Sequence, residues 1–108
     1  MKLSALTLPP ALLASSSLAV DILVRNYADS PNWTKATVSL SVGTNCTELP
    51  IAANEVAFNP QSESGKLFKC IFFASLGPEC RAPLKQVFSY DEYTVLPGLA
   101  QSATCIQL

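Results

Sequence analysis

The sequence predicts an all-β domain: two Greek-key halves forming a small β-sandwich stapled by disulfides. Three observations point there. Residues 37–42 (TVSLSV) alternate hydroxyl and aliphatic side chains, the pattern of a strand with one wet face. Four cysteines and no histidine occur in 108 residues, which suits two bridges in a short exported chain. Residues 48–58 (ELPIAANEVAF) and 95–105 (VLPGLAQSATC) both carry Leu-Pro, two residues, Ala and a polar residue before a short apolar run. A duplicated unit would read this way.

The first 19 residues are set apart from the fold. Lys2 gives a positive start, an apolar run follows, and Ser17-Leu18-Ala19 places small residues where a signal peptidase reads them. Residues 1–19 are therefore expected to be a signal peptide cleaved after Ala19. The apolar run is too short for a bilayer core of roughly 30 Å, and Pro9-Pro10 interrupts it. Residues 20–108 are expected to fold as one domain, secreted to the extracellular space, with no membrane insertion. Losing Lys2 leaves six basic residues against eight acidic ones. That balance argues against nucleic acid, which rewards a clustered basic face.

Along the mature chain, 22–25 is a short strand candidate and 37–42 a half-buried one. Residues 67–74 (LFKCIFFA) are apolar on both faces and suit a central strand or a subunit contact. Residues 87–93 and 103–108, rich in β-branched and aromatic residues, complete the sheet. Turns are expected at 28–32, 43–45 and 77–79, where Gly, Pro, Asn and Asp gather. The polar stretch 59–66 (NPQSESGK) reads as the joint between halves of about 20–58 and 67–108.

Sliding the chain by 47 residues lays 20–61 over 67–108 without a gap and gives five identities: Pro31/Pro78, Thr47/Thr94, Leu49/Leu96, Pro50/Pro97 and Ala53/Ala100. Chance supplies roughly two or three over such a length, but four of these cluster, and strand falls on strand. Cys70 and Cys105 then lie opposite Leu23 and Phe58. In a Greek key the last strand returns beside the first, so a Cys70–Cys105 bridge would replace an apolar pair. A shift of 34 instead matches Gly43-x-x-Cys46 to Gly77-x-x-Cys80, but leaves the Leu-Pro match unexplained. From the sequence, all three pairings of the four cysteines stay open.

Cys70 through Gly77-Pro78-Glu79-Cys80, then Tyr93-Thr94-Val95-Leu96-Pro97 and Ser102-Ala103-Thr104-Cys105, with Gly43-Thr44-Asn45-Cys46 and Leu49-Pro50 in the first half, carry a resemblance. Together they resemble the small secreted cysteine-rich proteins of filamentous fungi that have a β/γ-crystallin-like fold. Another small six-stranded effector-type β-sandwich is the alternative. The resemblance implies a secreted, non-enzymatic, effector-like protein that acts by binding an extracellular host or microbial protein or glycan. Rival readings are an antimicrobial or killer-type toxin and a cell-wall-associated carbohydrate-binding protein. The calcium motif of the crystallin group is missing: 91–94 (DEYT) is the nearest match and lacks the motif's final serine. No metal or other cofactor is expected, and Cys46–Cys80 would cross between the halves.

Chemistry-bearing residues are few. Without histidine there is no imidazole base or Ser-His-Asp arrangement, and no catalytic residue is assigned. Asp91 and Glu92, if on a strand, would face opposite ways, and Glu48 and Glu55 read as surface charges. Asn32-Trp33-Thr34 and Asn45-Cys46-Thr47 are glycosylation sequons, with Asn45 the weaker because its neighbour is a disulfide candidate. Phe68, Phe72, Phe73, Phe88, Tyr90 and Tyr93 are expected mainly in the core. Trp33, set in a turn, is the candidate contact residue. When the full chain is expressed in a secreting eukaryotic host, mass spectrometry of the medium should find Val20 as the first residue. A secreted chain that still carries Met1 or Lys2 would remove the cleavage assignment.

Overall fold

The computed structural model describes residues 19–40, 45–58 and 66–108. Nearly all of the expected leader and of the expected joint lies outside the described residues. Six strands follow in chain order: β1 (Ala19–Arg25), β2 (Thr34–Ser39), β3 (Thr47–Phe58), β4 (Phe68–Phe73), β5 (Pro83–Phe88) and β6 (Tyr93–Gln107). All six join in one antiparallel sheet, in the order β2-β1-β3-β6-β4-β5.

Period-two patterning explains the short strands. In β1, Val20, Ile22 and Val24 are buried while the residues between them are half-exposed. In β2, Ala36 and Val38 face the core, with Lys35, Thr37 and Ser39 in water. In β4, Phe68, Cys70 and Phe72 are buried, and Phe73 joins them where a register irregularity interrupts the β4–β5 pairing. The strand is flanked by β6 and β5, which accounts for its apolar composition. Truncating a buried Phe such as Phe68 or Phe72 would cost about 3–5 kcal/mol.

One sheet encloses this core by coiling. Leu40, just past β2, makes a parallel bridge to Cys105 of β6, although β1 and β3 lie between those strands in the sheet. A flat sheet would hold them three strand spacings apart, roughly 14 Å; twist and coiling bring them into contact. The described strands thus form a single six-stranded antiparallel sheet. Each half supplies three strands among the described residues, in the orders β2-β1-β3 and β5-β4-β6. β3 and β6 are the long strands because each continues through its Leu-Pro.

Proline has no N–H for a ladder and usually marks a strand edge or bulge. Here Leu49-Pro50-Ile51-Ala52 lies between the pairs Glu48–Ser102 and Ala53–Ala100, facing only Gln101. Leu96-Pro97-Gly98-Leu99 lies between Ala53–Ala100 and Glu55–Val95, facing only Asn54. The strands bend out at these bulges and resume pairing beyond them, while Leu49 and Leu96 turn into the core at 7% and 4% exposure. The doubled Leu-Pro-x-x-Ala is thus one structural element used twice.

The pairing has approximate two-fold character centred on Ala53 and Ala100. Thr47 opposite Ala103 is matched by Thr94 opposite Val56, and Glu48 opposite Ser102 by Val95 opposite Glu55. The offset is 47 for these long strands. For the first strands it is 48: Ile22 faces Phe58 where Cys70 faces Cys105. This corrects the gapless alignment, which set Leu23 against Phe58. A one-residue slip reverses a strand's faces, and burial selects Ile22, at 1% exposure, as the inward residue.

The cysteines join as Cys70–Cys105 and Cys46–Cys80. Cys70 and Cys105 sit directly opposite each other on β4 and β6, with Cα atoms 4.0 Å apart. Cys46, just before β3, reaches the β4–β5 loop of the other half. That loop turns through left-handed backbone at Gly77, Cys80 and Ala82, a conformation that costs a non-glycine residue about 1–2 kcal/mol. Hydrogen bonds from Cys46 N to Pro78 O (2.9 Å) and from Ala74 N to Ala82 O (2.9 Å) hold it. Each bridge closes a loop of about 35 residues and is expected to contribute about 3–4 kcal/mol in the chain-entropy picture.

Ala53 and Ala100 are fully buried and face each other. Ala53→Leu should therefore overpack the seam and lower unfolding free energy by about 1–3 kcal/mol in urea titration. Ala28→Leu, at an exposed turn position, should change it by less than about 0.5 kcal/mol. Equal stability of the two variants would remove the seam from its central place.

Candidate functional site

At one end of the seam, on the face opposite the core, three aromatic residues gather around one arginine. Arg25 ends β1, and its side chain points outward because Val24 before it points in. Opposite it on β3 stands Glu55, whose Oε1 accepts from Arg25 Nε at 2.8 Å. Arg25 Nη1 donates to Pro31 O at 2.8 Å, tying the β1–β2 loop down. The guanidinium lies 4.1 Å from the Trp33 ring centroid, 4.9 Å from Tyr27 and 6.0 Å from Tyr93. Trp33 meets Tyr93 edge to face, with centroids 6.4 Å apart.

Coulomb attraction and ring quadrupoles act together on this arginine. Both members of the Arg25–Glu55 pair keep only about one-sixth of their side-chain surface exposed, at 16% and 14%, so solvent screens the pair less than a surface bridge. The cation occupies the space between the rings, so a foreign cation would have to displace it. What stays open are the outer parts of Tyr27 and Tyr93, each 56% exposed. A Tyr presents an apolar face and a hydroxyl that donates and accepts. The cluster can therefore stack on a flat apolar group and hydrogen-bond at its rim.

Several sequence expectations change here. Glu55, read as a surface charge, is half-buried in the ion pair, whereas Glu48 is exposed. Tyr93 and Tyr90, assigned to the core, lie outside at 56% and 64% exposure. Of the expected core aromatics, Phe68, Phe72 and Phe73 are buried, and Phe88 is half-buried and stacks on Tyr90 at 5.2 Å. Trp33 is half-buried against Arg25 and Tyr93, less free than a turn tryptophan would be. Asp91 and Glu92 sit in a turn between β5 and β6, where Asp91 Oδ2 accepts from Phe88 N at 3.0 Å. The short-range rule for strand faces does not apply to them.

The two-fold relation gives this cluster a counterpart. Shifted by 47, Trp33 falls on Cys80 and Tyr93 on Cys46, so the ring contact stands where the other end of the seam has a disulfide. Both join the loop of one half to the start of the long strand of the other. Asn54 and Gln101, facing the two bulges, are likewise related. Asn54 Oδ1 accepts from Tyr27 N at 3.3 Å, and Gln101 Nε2 donates to Ala74 O at 3.4 Å. Each pins the backbone just beyond its half's first strand.

Beside the cluster, the same loop frames a depression of about 270 Å³ lined by Asn26, Asp29, Ser30, Asn32, Thr34, Ile51 and Ala52. Asn32 is exposed on it, and its backbone N donates to Ser30 Oγ at 3.1 Å. Asn45 is exposed beside the Cys46–Cys80 bridge, and Thr47 Oγ1 of that sequon accepts from Ser39 N at 3.1 Å. Comparison with known proteins yields no matching family model, no matching curated protein and no matching solved structure.

Arg25→Ala should lower stability by about 2 kcal/mol, between the values for exposed and fully buried pairs, and should shift Trp33 fluorescence to longer wavelength. Glu55→Gln, with Arg25 in place, should cost less than Arg25→Ala because the amide oxygen still accepts from Arg25 Nε. An Arg25→Ala variant with unchanged emission and a loss under about 0.5 kcal/mol would show that the cluster is not held by the arginine.

Proposed function

We propose that this chain is a secreted, non-enzymatic binding protein, effector-like in the manner of the small cysteine-rich proteins of filamentous fungi, and that the Tyr27–Trp33–Tyr93 face makes the contact. The observation that carries the reading is the pinning of these rings: Arg25 holds the loop to β3, and Tyr93 brings the second half to the same place. Rigid aromatic side chains lose little conformational entropy on binding, which is why Tyr and Trp dominate contact hot spots. Two disulfides in a small chain are consistent with an extracellular setting. The paired three-strand units with two-fold pairing support descent from a duplicated, crystallin-like ancestor.

A second reading has one observation in its favour. A wall-associated carbohydrate-binding protein needs several aromatics together, and the fold joins Tyr27 and Tyr93 to Trp33, which the sequence leaves isolated. A membrane-active toxin is less favoured, since the acidic balance gives little attraction to anionic surfaces.

Fluorescently labelled, oxidised residues 20–108 should bind plant cells saturably. The Tyr27→Ala/Tyr93→Ala double variant should bind at least about tenfold more weakly, the loss of roughly one hot-spot contact. Retention on isolated glucan or chitin alone would move the wall reading to first place, and retention on microbes with killing would favour a toxin. Undiminished binding by the double variant would place the contact elsewhere on the molecule.

A further inference from the structure

The depression in the β1–β2 loop has a covalent tether on its rim. Asn32 opens the sequon Asn32-Trp33-Thr34, is exposed, and lines the hollow with Asn26, Asp29, Ser30 and Thr34 on one side and Ile51 and Ala52 of the β3 bulge on the other. We propose that Asn32 carries an N-linked glycan and that its first sugar ring seats in this depression. The inference rests on the secretion part of the functional reading above, because the modification belongs to the secretory route.

Size and chemistry agree. About 270 Å³ is just under the roughly 300–1,000 Å³ of sites for drug-sized ligands, so the hollow takes a single ring and leaves the rest of the glycan in water. A pyranose has apolar C–H faces and a rim of hydroxyls. Ile51 and Ala52 offer apolar surface to the first, and the carboxylate of Asp29 and the amide of Asn26 offer partners to the second. None of Tyr27, Trp33 and Tyr93 lines the hollow, so a seated sugar leaves the aromatic face as it is. In the reaction, Asn32 Nδ2 bonds to the anomeric carbon of a lipid-linked oligosaccharide diphosphate. The carbon–oxygen bond to the diphosphate breaks, the diphosphate leaves with the electron pair, and the amide nitrogen gives up one proton.

The two sequons differ in their surroundings. At Asn32 the middle residue is Trp33, outside any covalent link, and Thr34 opens strand β2. At Asn45 the middle residue is bonded to Cys80 and the threonine hydroxyl is engaged by Ser39 N. The glycan is assigned to Asn32.

The experiment expresses the full chain in a secreting eukaryotic host as wild type, Thr34→Val and Thr34→Ser, and treats the medium with a peptide amidase that releases N-glycans. Valine keeps the branched shape at a strand start but removes the sequon, while serine retains it. The wild type and T34S should lose glycan mass and leave an aspartate where Asn32 stood, read by peptide mass spectrometry, whereas T34V should not change. Glycosylated wild type should melt about 4 °C above T34V, on the order of the shift that one modest contact gives in a domain of this size. Ile51→Ser should keep the glycan but lose most of that gain. Secreted wild type without glycan at Asn32 would overturn the site, and a glycan with no gain in melting temperature would overturn the seat. Failure of secretion is a separate outcome that counts against the functional reading. Residues 20–108 behind a foreign leader then test the same variants, and an unmodified Asn32 there overturns the site.

Discussion

The pairing of β3 with β6 is the constraint on which the rest depends. Among the described residues it is the one multi-residue ladder between the two halves, and its centre is a pair of alanines with no accessible surface. Small residues are required there because both strands bulge on either side, through Leu-Pro-x-x, and swing their backbones around the contact. Each bulge sends one leucine inward and exposes the residues that follow it. Beyond the bends each long strand lies between the two halves: Glu55–Ala57 of β3 pair with both β1 and β6, and Ser102 and Ala103 of β6 pair with both β4 and β3. Cooperative stability between halves follows from that sharing.

The same plan is reinforced by different chemistry in each half. Where Ile22 faces Phe58 in the first, Cys70 is bonded to Cys105 in the second. Where one loop is tied across the seam by Cys46–Cys80, the other is tied by the Trp33–Tyr93 contact and by Arg25, which is itself paired with Glu55. A disulfide acts mainly by restricting the unfolded chain, whereas aromatic and ionic contacts act in the folded state and present atoms to solvent. The aromatic end can therefore serve as a contact surface in a way the cystine end cannot. This asymmetry, laid over a near-symmetric sheet, is what sets the candidate site apart from its counterpart.

Much of the fold was legible. The alternation from 37 to 39, the two-sided apolar run 67–74 and the turn residues near 28–32 and 77–79 correspond to β2, β4 and the two loops, while 41–42 and most of the expected turn at 43–45 lie outside the described residues. The Leu-Pro repeat marked the symmetric element. Its role as a paired bulge was not legible, because a bulge depends on partners distant in sequence. Tyr93 was misplaced for a related reason: near a turn, one residue of register decides whether a side chain faces core or solvent.

By itself the sequence determined an all-β chain with a doubled element and cysteines fit for two bridges, since periodicity, turn chemistry and cysteine count are local properties. Only the tertiary structure decided that the six strands form one coiled sheet, and that β1 and β4 are offset by 48 where β3 and β6 are offset by 47. The candidate site belongs to this second class. Arg25 and Glu55 are 30 residues apart in the chain, and Tyr93 comes from the other half. Nothing in their spacing announces that strand pairing will set a cation among three rings, because that juxtaposition is made by hydrogen-bonded register across the sheet.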